Sequence, residues 1–455
     1  MSEPLRWFSI VRLGLVQASL GAIVVLTTST LNRVMVVELA LPALLPGLLV
    51  ALHYLVQVSR PRMGHGSDVG GRRTPWIVGG IVLLALAGVL AAVATASMAT
   101  RPVAGMALAV IAFALVGLGV SASGTSLLVL LAKRVAPERR APAATIVWMM
   151  MILGFAVTAG IAGHLLDPYS PSRLVLVSAV VSVIAVLLTL LALAGLEGKA
   201  DAAVDTPAGP AATLKPSFRE SLAQVWSEPA ARQFTIFVAL SMLAYSAQDL
   251  ILEPFAGTVF GYTPGESTQL SGVQHAGVLA GMILVALAGH GYRGRRFGSL
   301  RAWTVGGCVA SALCLFGLTL SGLVGPGWPF RATVFALGVA NGAFSIAAIG
   351  SMMRLAGEGR ASREGVRMGL WGAAQAISFG LGGIAGTAAS DVARWLIGSP
   401  GLAYATVFAF EGVLFLASAV LAWRIGAPPR TVTNLPPTRL QIASAPVRAP
   451  LRRPS

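Results

Sequence analysis

The same short loop stands twice in this chain, each time between two long apolar runs. The first copy reads GHGSDVGGRR over residues 64–73, and the second reads GHGYRGRR over residues 289–296. The copies lie about half the chain apart, and the apolar runs beside them are long enough to cross a bilayer as helices. A repeat of membrane-spanning units at this spacing predicts the duplicated architecture of secondary transporters.

The composition supports a membrane location. The chain is 56% hydrophobic and only 11% charged, whereas soluble domains carry about 25% charged residues. We therefore predict an all-α integral membrane protein with twelve transmembrane helices in two six-helix halves, the first two spans lying near 10–32 and 38–59. The predicted parts are a first half over 1–196, a cytoplasmic linker with a short amphipathic helix over 197–230, a second half over 231–424, and a disordered Pro/Arg-rich cytoplasmic tail over 425–455.

The distribution of positive charge predicts the orientation. The net charge of +16 would fit a nucleic-acid-binding protein, but the basic residues are sorted by side of the membrane. With a cytoplasmic N-terminus, all but five of the 33 lysines and arginines fall on the cytoplasmic side. Cytoplasmic loops of membrane proteins carry such an excess. We expect both termini in the cytoplasm, a multi-pass location in a bacterial inner membrane (cytoplasmic or intracytoplasmic), contact with membrane lipid, and no nucleic-acid partner.

The two halves match again within the spans, at residues 161–163 and 384–386, which both read IAG. Two parallel six-span repeats resemble the major facilitator superfamily. The first loop fits that superfamily's signature G-x-x-x-D-x-x-G-R-R at Gly64, Asp68, Gly71, Arg72 and Arg73. The aspartate can cap a helix or pair with an arginine, so these five residues are expected to form a latch between half-bundles. The second copy lacks the aspartate.

A narrower resemblance is carried by three stretches: RLGLVQ at 12–17, LNRVMVVEL at 31–39, and RPR at 60–62. These are similar to the PucC/LhaA family, the bacteriochlorophyll-delivery family of photosynthetic bacteria. The compact first loop places the chain nearest the branch catalogued with bacteriochlorophyll synthase. The resemblance implies bacteriochlorophyll handling or light-harvesting complex assembly, with bound bacteriochlorophyll as the cargo. Pigment synthase and light-harvesting polypeptides are the implied partners.

Polar residues at the outer ends of the first and seventh spans predict a periplasmic gate. Asn32, Arg33 and Glu38 form one group, and Glu38 is close enough in sequence to pair with Arg33. Asp249 and Glu253 form the counterpart in the second half and share a helix face. A pigment or lipid-headgroup contact is the alternative for the first group. Proton coupling is the alternative for the second, because carboxylates at membrane depth are costly and functional.

Five polar residues inside the spans are candidate pigment or substrate contacts: Gln17, His53, Gln57, His275 and Glu411. The imidazole of His53 could ligate the magnesium of a chlorophyll, or it could be a buried group hydrogen bonded between helices. Glu411 lies mid-span, where an ionisable group costs roughly 2.5–3.5 kcal/mol, so it should face the bundle interior. The sequence predicts no metal site formed by the protein alone.

Three functions remain open on the sequence. The chain has no Walker loop and no nucleophile–base pair, so we expect a protein that is not an enzyme. The leading hypothesis is bacteriochlorophyll handling, which would call for a large apolar cavity or lateral groove with a histidine or similar ligand. A proton-coupled exporter of a small amphipathic compound would show carboxylates facing a polar central cavity. A non-transporting assembly scaffold would show a collapsed cavity and an apolar outer groove.

Overall fold

A computed structural model of the protein describes residues 6–57, 73–136, 139–196, 223, 226–290, 298–358 and 364–425. Four of the predicted latch residues, Gly64, Asp68, Gly71 and Arg72, lie outside this part of the chain. Most of the predicted linker and nearly all of the tail lie outside it too. Arg73, the fifth latch residue, is buried at the start of the third helix.

The described chain is helical. The helices are α1 (Trp7–Glu38), α2 (Leu44–Val56), α3 (Thr74–Met98), α4 (Pro102–Arg134), α5 (Arg140–Leu166), α6 (Pro171–Leu193), α7 (Pro229–Phe260), α8 (Pro264–His290), α9 (Leu300–Val324), α10 (Phe330–Glu358), α11 (Glu364–Ile397) and α12 (Pro400–Ile425). In the described residues, ten of these are long and apolar enough to cross a membrane. Helix α2 is shorter, and α11 is not among the ten, so their crossing stays a prediction.

The first helix is longer than the sequence predicted. We placed its end near residue 32 and the next span from residue 38, and both boundaries are wrong: α1 continues to Glu38, and α2 begins at Leu44. The helix continues through the apolar residues 34–37. It contains two wider π-helical turns, at 26–30 and 34–38. Ala40, with a φ of 51°, then turns the chain ahead of Pro42.

The helices pack as two halves, α1–α6 and α7–α12, that meet mainly through α5 against α8 and α2 against α11. We call the end of the bundle where α1 ends and α2 begins the α1–α2 end. There, a Cβ added to Gly265 of α8 would lie 2.5 Å from the carbonyl oxygen of Gly163 of α5. Only glycine permits that approach.

Helices α8 and α10 touch through backbone rather than side chains. A Cβ added to Gly281 would lie 2.1 Å from the carbonyl oxygen of Val339, and one added to Gly342 would lie 2.0 Å from that of Val278. Gly277 and Gly338 make the equivalent approaches one turn away. Small residues spaced by four let membrane helices come this close. This contact fixes α8, which carries part of the site described next.

Candidate functional site

A buried polar cluster joins α1 to α7 and α8 between the two halves. We call it the inter-half cluster; its members are Ser29, Thr30, Asn32, Arg33, Asp249, Glu253, Thr268, Ser271, Gln274 and His275. Two hydroxyl pairs cross the junction, Thr30 to Thr268 at 3.1 Å and Ser29 to Ser271 at 3.5 Å. The amide of Asn32 donates to the carbonyl oxygen of Leu250 at 2.6 Å. These bonds tie the first helix of one half to the other half.

Helical spacing brings the cluster together. Asp249 and Glu253 are four residues apart on α7, and Ser271 and His275 are four apart on α8, so each pair lies on one face of its helix. In a membrane interior, polar side chains turn toward the protein because lipid offers them no partner. The sequence predicted a shared face for Asp249 and Glu253. It did not predict that His275 would lie beside them.

Arg33 is the buried cation of the cluster. Its side chain is 2% exposed; one terminal nitrogen pairs with Glu38 at 2.5 Å and the other donates to the carbonyl oxygen of Tyr262 at 2.5 Å. Gly257 leaves room for the guanidinium, since a Cβ there would lie 2.9 Å from it. Partial burial, with the nearby charge of Glu38 as the second cause, raises the pKa of Tyr169 in the α5–α6 loop. Arg33 thus links α1 to the α7–α8 loop of the opposite half.

The two carboxyl groups of α7 lie inside the junction. Glu253 is 2% exposed and lies near Ser29 and Ser271, yet neither of its oxygens has a hydrogen bond of good geometry within the described chain. Asp249 lies near Gln274 and His275. The Nδ1 nitrogen of His275 donates to the carbonyl oxygen of Ser271 at 2.8 Å. The gate role of these residues remains a prediction, but their position between the halves meets its geometric requirement.

Two aspartates that the sequence analysis missed also connect the halves. The carboxylate of Asp391 at the end of α11 accepts hydrogen bonds from the backbone N–H groups of Ala43 and Leu44, at 3.0 and 2.8 Å. Asp167 at the end of α5 accepts one from the hydroxyl of Thr263 at 3.1 Å. A carboxylate at a helix N-terminus is stabilised by unpaired N–H groups and by the helix dipole. The repeat itself was the available signal: both follow the IAG segments by four or five residues.

The remaining candidates lie apart from the cluster. His53 is buried in α2, where Gln57 Nε2 donates to its Nε2 at 2.9 Å, so the nitrogen suited to magnesium already accepts a hydrogen bond. Gln17 donates to the sulfur of Met151 at 3.3 Å. Glu411 faces the interior of the second half, as expected, and neither of its oxygens is hydrogen bonded to another described residue. Magnesium ligation by His53 stays a prediction and requires Gln57 to move.

An open-sided lateral cavity of about 770 Å³ lies on the flank of the second half, between α8, α9 and α10. Its walls are almost entirely apolar, with Leu284 from α8, Ala310 and Cys314 from α9, and Phe335 and Val339 from α10 among them. Pockets for small organic ligands usually measure about 300–1,000 Å³. No histidine is among its lining residues. The cavity has the apolar, lateral character expected of a pigment handler, but not the expected ligand.

Comparison with known proteins shows which family this two-half bundle belongs to. Residues 30–428 match the PUCC protein family. The chain belongs to this family. It is 53% identical over 420 residues to the bacteriochlorophyll synthase 44.5 kDa chain of Rhodobacter capsulatus, covering 92% of this chain and 95% of the relative. It is 31% identical over 447 residues to protein PucC of Rhodobacter capsulatus, covering 92% and 93%. The family and branch predicted from the LNRVMVVEL segment and the compact loop are confirmed.

The fold agrees with a solved transporter. The nucleoside transporter NupG superposes with a TM-score of 0.66 at 14% identity, covering 92% of this chain and all of that one. At such low identity the likeness shows the fold alone. This member of the PUCC family is thus a multi-pass membrane protein with a transporter-like fold.

Proposed function

We propose that this PUCC-family protein handles bacteriochlorophyll within the membrane, delivering it to light-harvesting complexes or assisting their assembly beside bacteriochlorophyll synthase. The observation that carries the proposal is the 53% identity, over 92% of the chain, to a protein named as a chain of that synthase. A transporter-like fold argues for moving or presenting the pigment rather than making it. The protein would act as a non-catalytic companion of the pigment enzymes.

The lateral cavity supports the same function. A bacteriochlorophyll is a large, mostly apolar molecule dissolved in the bilayer, so a handling protein gains by receiving it from the side. Because the pigment would come from lipid that is as apolar as the walls, binding would be favoured by close packing rather than by removal from water. The walls offer small residues such as Gly306 and Ala310 against which a flat ring can lie. With no histidine in the lining, binding there would rest on shape and apolar contact.

The orientation belongs to the same proposal. We place all twelve helices across the inner membrane with both termini in the cytoplasm, which puts the α1–α2 end on the periplasmic side. Arg33, Asn32 and Asp391 would then close the periplasmic end, while the loop at 64–73 would lie in the cytoplasm. The apolar cavity would lie within the bilayer on the flank of the second half.

Filling the cavity is expected to reduce pigment binding without unfolding the protein. Ala310→Trp places an indole among the lining residues, whereas Leu313→Trp, three residues on, points a similar indole into lipid, since Leu313 is 63% exposed. The expected result is at least a fivefold loss of copurified pigment for Ala310→Trp, equal to about 1 kcal/mol of binding, and little change for Leu313→Trp. The pigment absorbance per amount of folded protein, recorded in mild detergent, measures pigment binding in each of the two variants. Equal pigment in the two variants would remove the cavity from the proposal.

A deletion strain tests the cellular role. The proposal expects lower assembled antenna or pigment while the pigment enzymes stay active in cell extracts. The buried carboxylates of the inter-half cluster favour a second candidate, a proton-coupled exporter of an amphipathic compound. That function expects normal pigment and antenna with lost resistance to the compound. A scaffold expects normal free pigment and poor antenna assembly, with no pigment on the purified protein.

A further inference from the structure

The inter-half cluster holds two carboxyl groups that pigment handling does not itself require. Asp249 and Glu253 face the junction of α7 with α1 and α8, within the membrane-spanning part of the bundle. Glu253 is 2% exposed, and the hydroxyls of Ser29 and Ser271 lie beside its oxygens without a hydrogen bond of good geometry. Buried polar atoms are nearly always hydrogen bonded. A carboxyl group left in this condition between the two halves is suited to a change of protonation state.

The charged and titratable groups around these carboxyls come from three helices. Arg33 of α1 faces Glu253, although its close ion pair is with Glu38 on its own helix. His275 of α8 faces Asp249. Tyr245 lies one helical turn before Asp249 on α7, and its phenol is a further titratable group near Asp249. Arg33 is therefore the cation whose attraction to α7 depends on the charge of Glu253.

We propose that Asp249 and Glu253 form a proton-binding site that controls contact between the two halves at the α1–α2 end. With Glu253 ionised, its carboxylate attracts the guanidinium of Arg33 across the junction and holds α1 against α7. A proton taken up from water onto a Glu253 oxygen removes this attraction, and Arg33 keeps its pair with Glu38. The α1–α2 end then opens more easily, so acid favours opening. This inference concerns energy coupling and stands whether or not the cargo is a pigment.

The hydroxyl pairs of the cluster fit this role. Ser29 and Ser271 are 3.5 Å apart and lie beside Glu253, and Ser271 also contacts His275. Hydroxyls can donate or accept, so they can follow a carboxyl group through both protonation states. The junction is held there by weak hydrogen bonds that can exchange donor and acceptor. A change in the charge of Glu253 is therefore sufficient to alter the balance between the closed and open states.

Spin labels on the two halves test the proposal. Thr100→Cys, in the α3–α4 loop, and Gly327→Cys, in the α9–α10 loop, provide label sites at the α1–α2 end in a protein whose Cys308 and Cys314 are replaced by alanine. Pulsed electron paramagnetic resonance then measures the distance between the two labels from about pH 8 to about pH 5. Buried carboxyl groups can titrate in this range. The protein should show a short distance at high pH and a longer one on acidification.

Neutral substitutions separate this site from other buried acids. Asp249→Asn with Glu253→Gln should give the long distance at both pH values. Glu411→Gln removes a buried carboxyl from α12, outside the cluster, and should keep the response. An unchanged distance across the pH range in the unsubstituted protein would overturn the proposal, as would a response retained by the double variant or one driven by Na⁺ at constant pH. Should the double variant fail to fold, Glu253→Gln alone, which is expected to give the long distance at both pH values, and the unsubstituted protein still decide.

Discussion

Replacing Gly281 with valine is expected to abolish stable folding of the second half. The new Cβ would lie 2.1 Å from the carbonyl oxygen of Val339, and its two methyl groups extend further into α10. Since the obstructing atoms are backbone, no rotamer change relieves the overlap, and α8 and α10 must separate. Overpacking of this kind costs about 1–3 kcal/mol where side chains can yield and more where they cannot. We expect loss of most monodisperse protein on size-exclusion chromatography in mild detergent.

Gly79 of α3 provides the matched control. It is also a helix glycine, in the second turn of α3, but a Cβ added there has no neighbour within 4 Å. Gly79→Val should therefore yield protein with a Tm within a few degrees of the unsubstituted chain, because the remaining effect is a small difference in helix propensity. Equal stability of the two valine variants would mean that α8 and α10 do not pack as described.

Replacing Arg33 with glutamine is expected to weaken closure of the α1–α2 end more than any other single charge change there. The substitution removes the ion pair with Glu38 and the hydrogen bond to the carbonyl oxygen of Tyr262, which crosses between the halves. Hydrogen bonds to charged groups contribute about 1.5–3 kcal/mol. The closed state should thus lose roughly tenfold or more in population relative to the open one.

A cysteine pair across the junction measures this loss. The hydroxyls of Thr30 and Thr268 are 3.1 Å apart, so Thr30→Cys with Thr268→Cys should form a disulfide readily while the halves are closed. Arg33→Gln should slow that reaction several-fold. Arg173→Gln serves as the control, since the hydrogen bond from this arginine to the carbonyl oxygen of Pro168 lies within the α5–α6 region. An equal rate in both backgrounds would show that Arg33 does not hold the gate.

The family, the transporter-like fold and the pairing of Arg33 with Glu38 were readable from the sequence. Each is signalled locally: the family by a nine-residue string, the fold by a repeated loop, and the pair by a spacing of five residues. The same local signal misled the reading of α1. Polar residues at 32 and 33 suggested a helix end in water, whereas the structure buries both against the opposite half.

The inter-half contacts could not be predicted because helix rotation and inter-half geometry leave no mark on the sequence. Asp391 looked like one acidic residue near a span end, yet its carboxylate receives the N-terminus of α2, a helix nearly 350 residues earlier in the chain. His275 was chosen for its polarity alone, and only packing places it beside Asp249. The lateral cavity likewise depends on how α9 sits over α8 and α10.

The absorption spectrum of the protein, purified in mild detergent from pigment-containing membranes, tests the central claim most directly. Bacteriochlorophyll handling predicts a bacteriochlorophyll-type band that stays with the protein through size-exclusion chromatography and falls in the Ala310→Trp variant but not in Leu313→Trp. A folded, monodisperse protein that carries no such band, and that gains none when bacteriochlorophyll is added in detergent, would contradict the account.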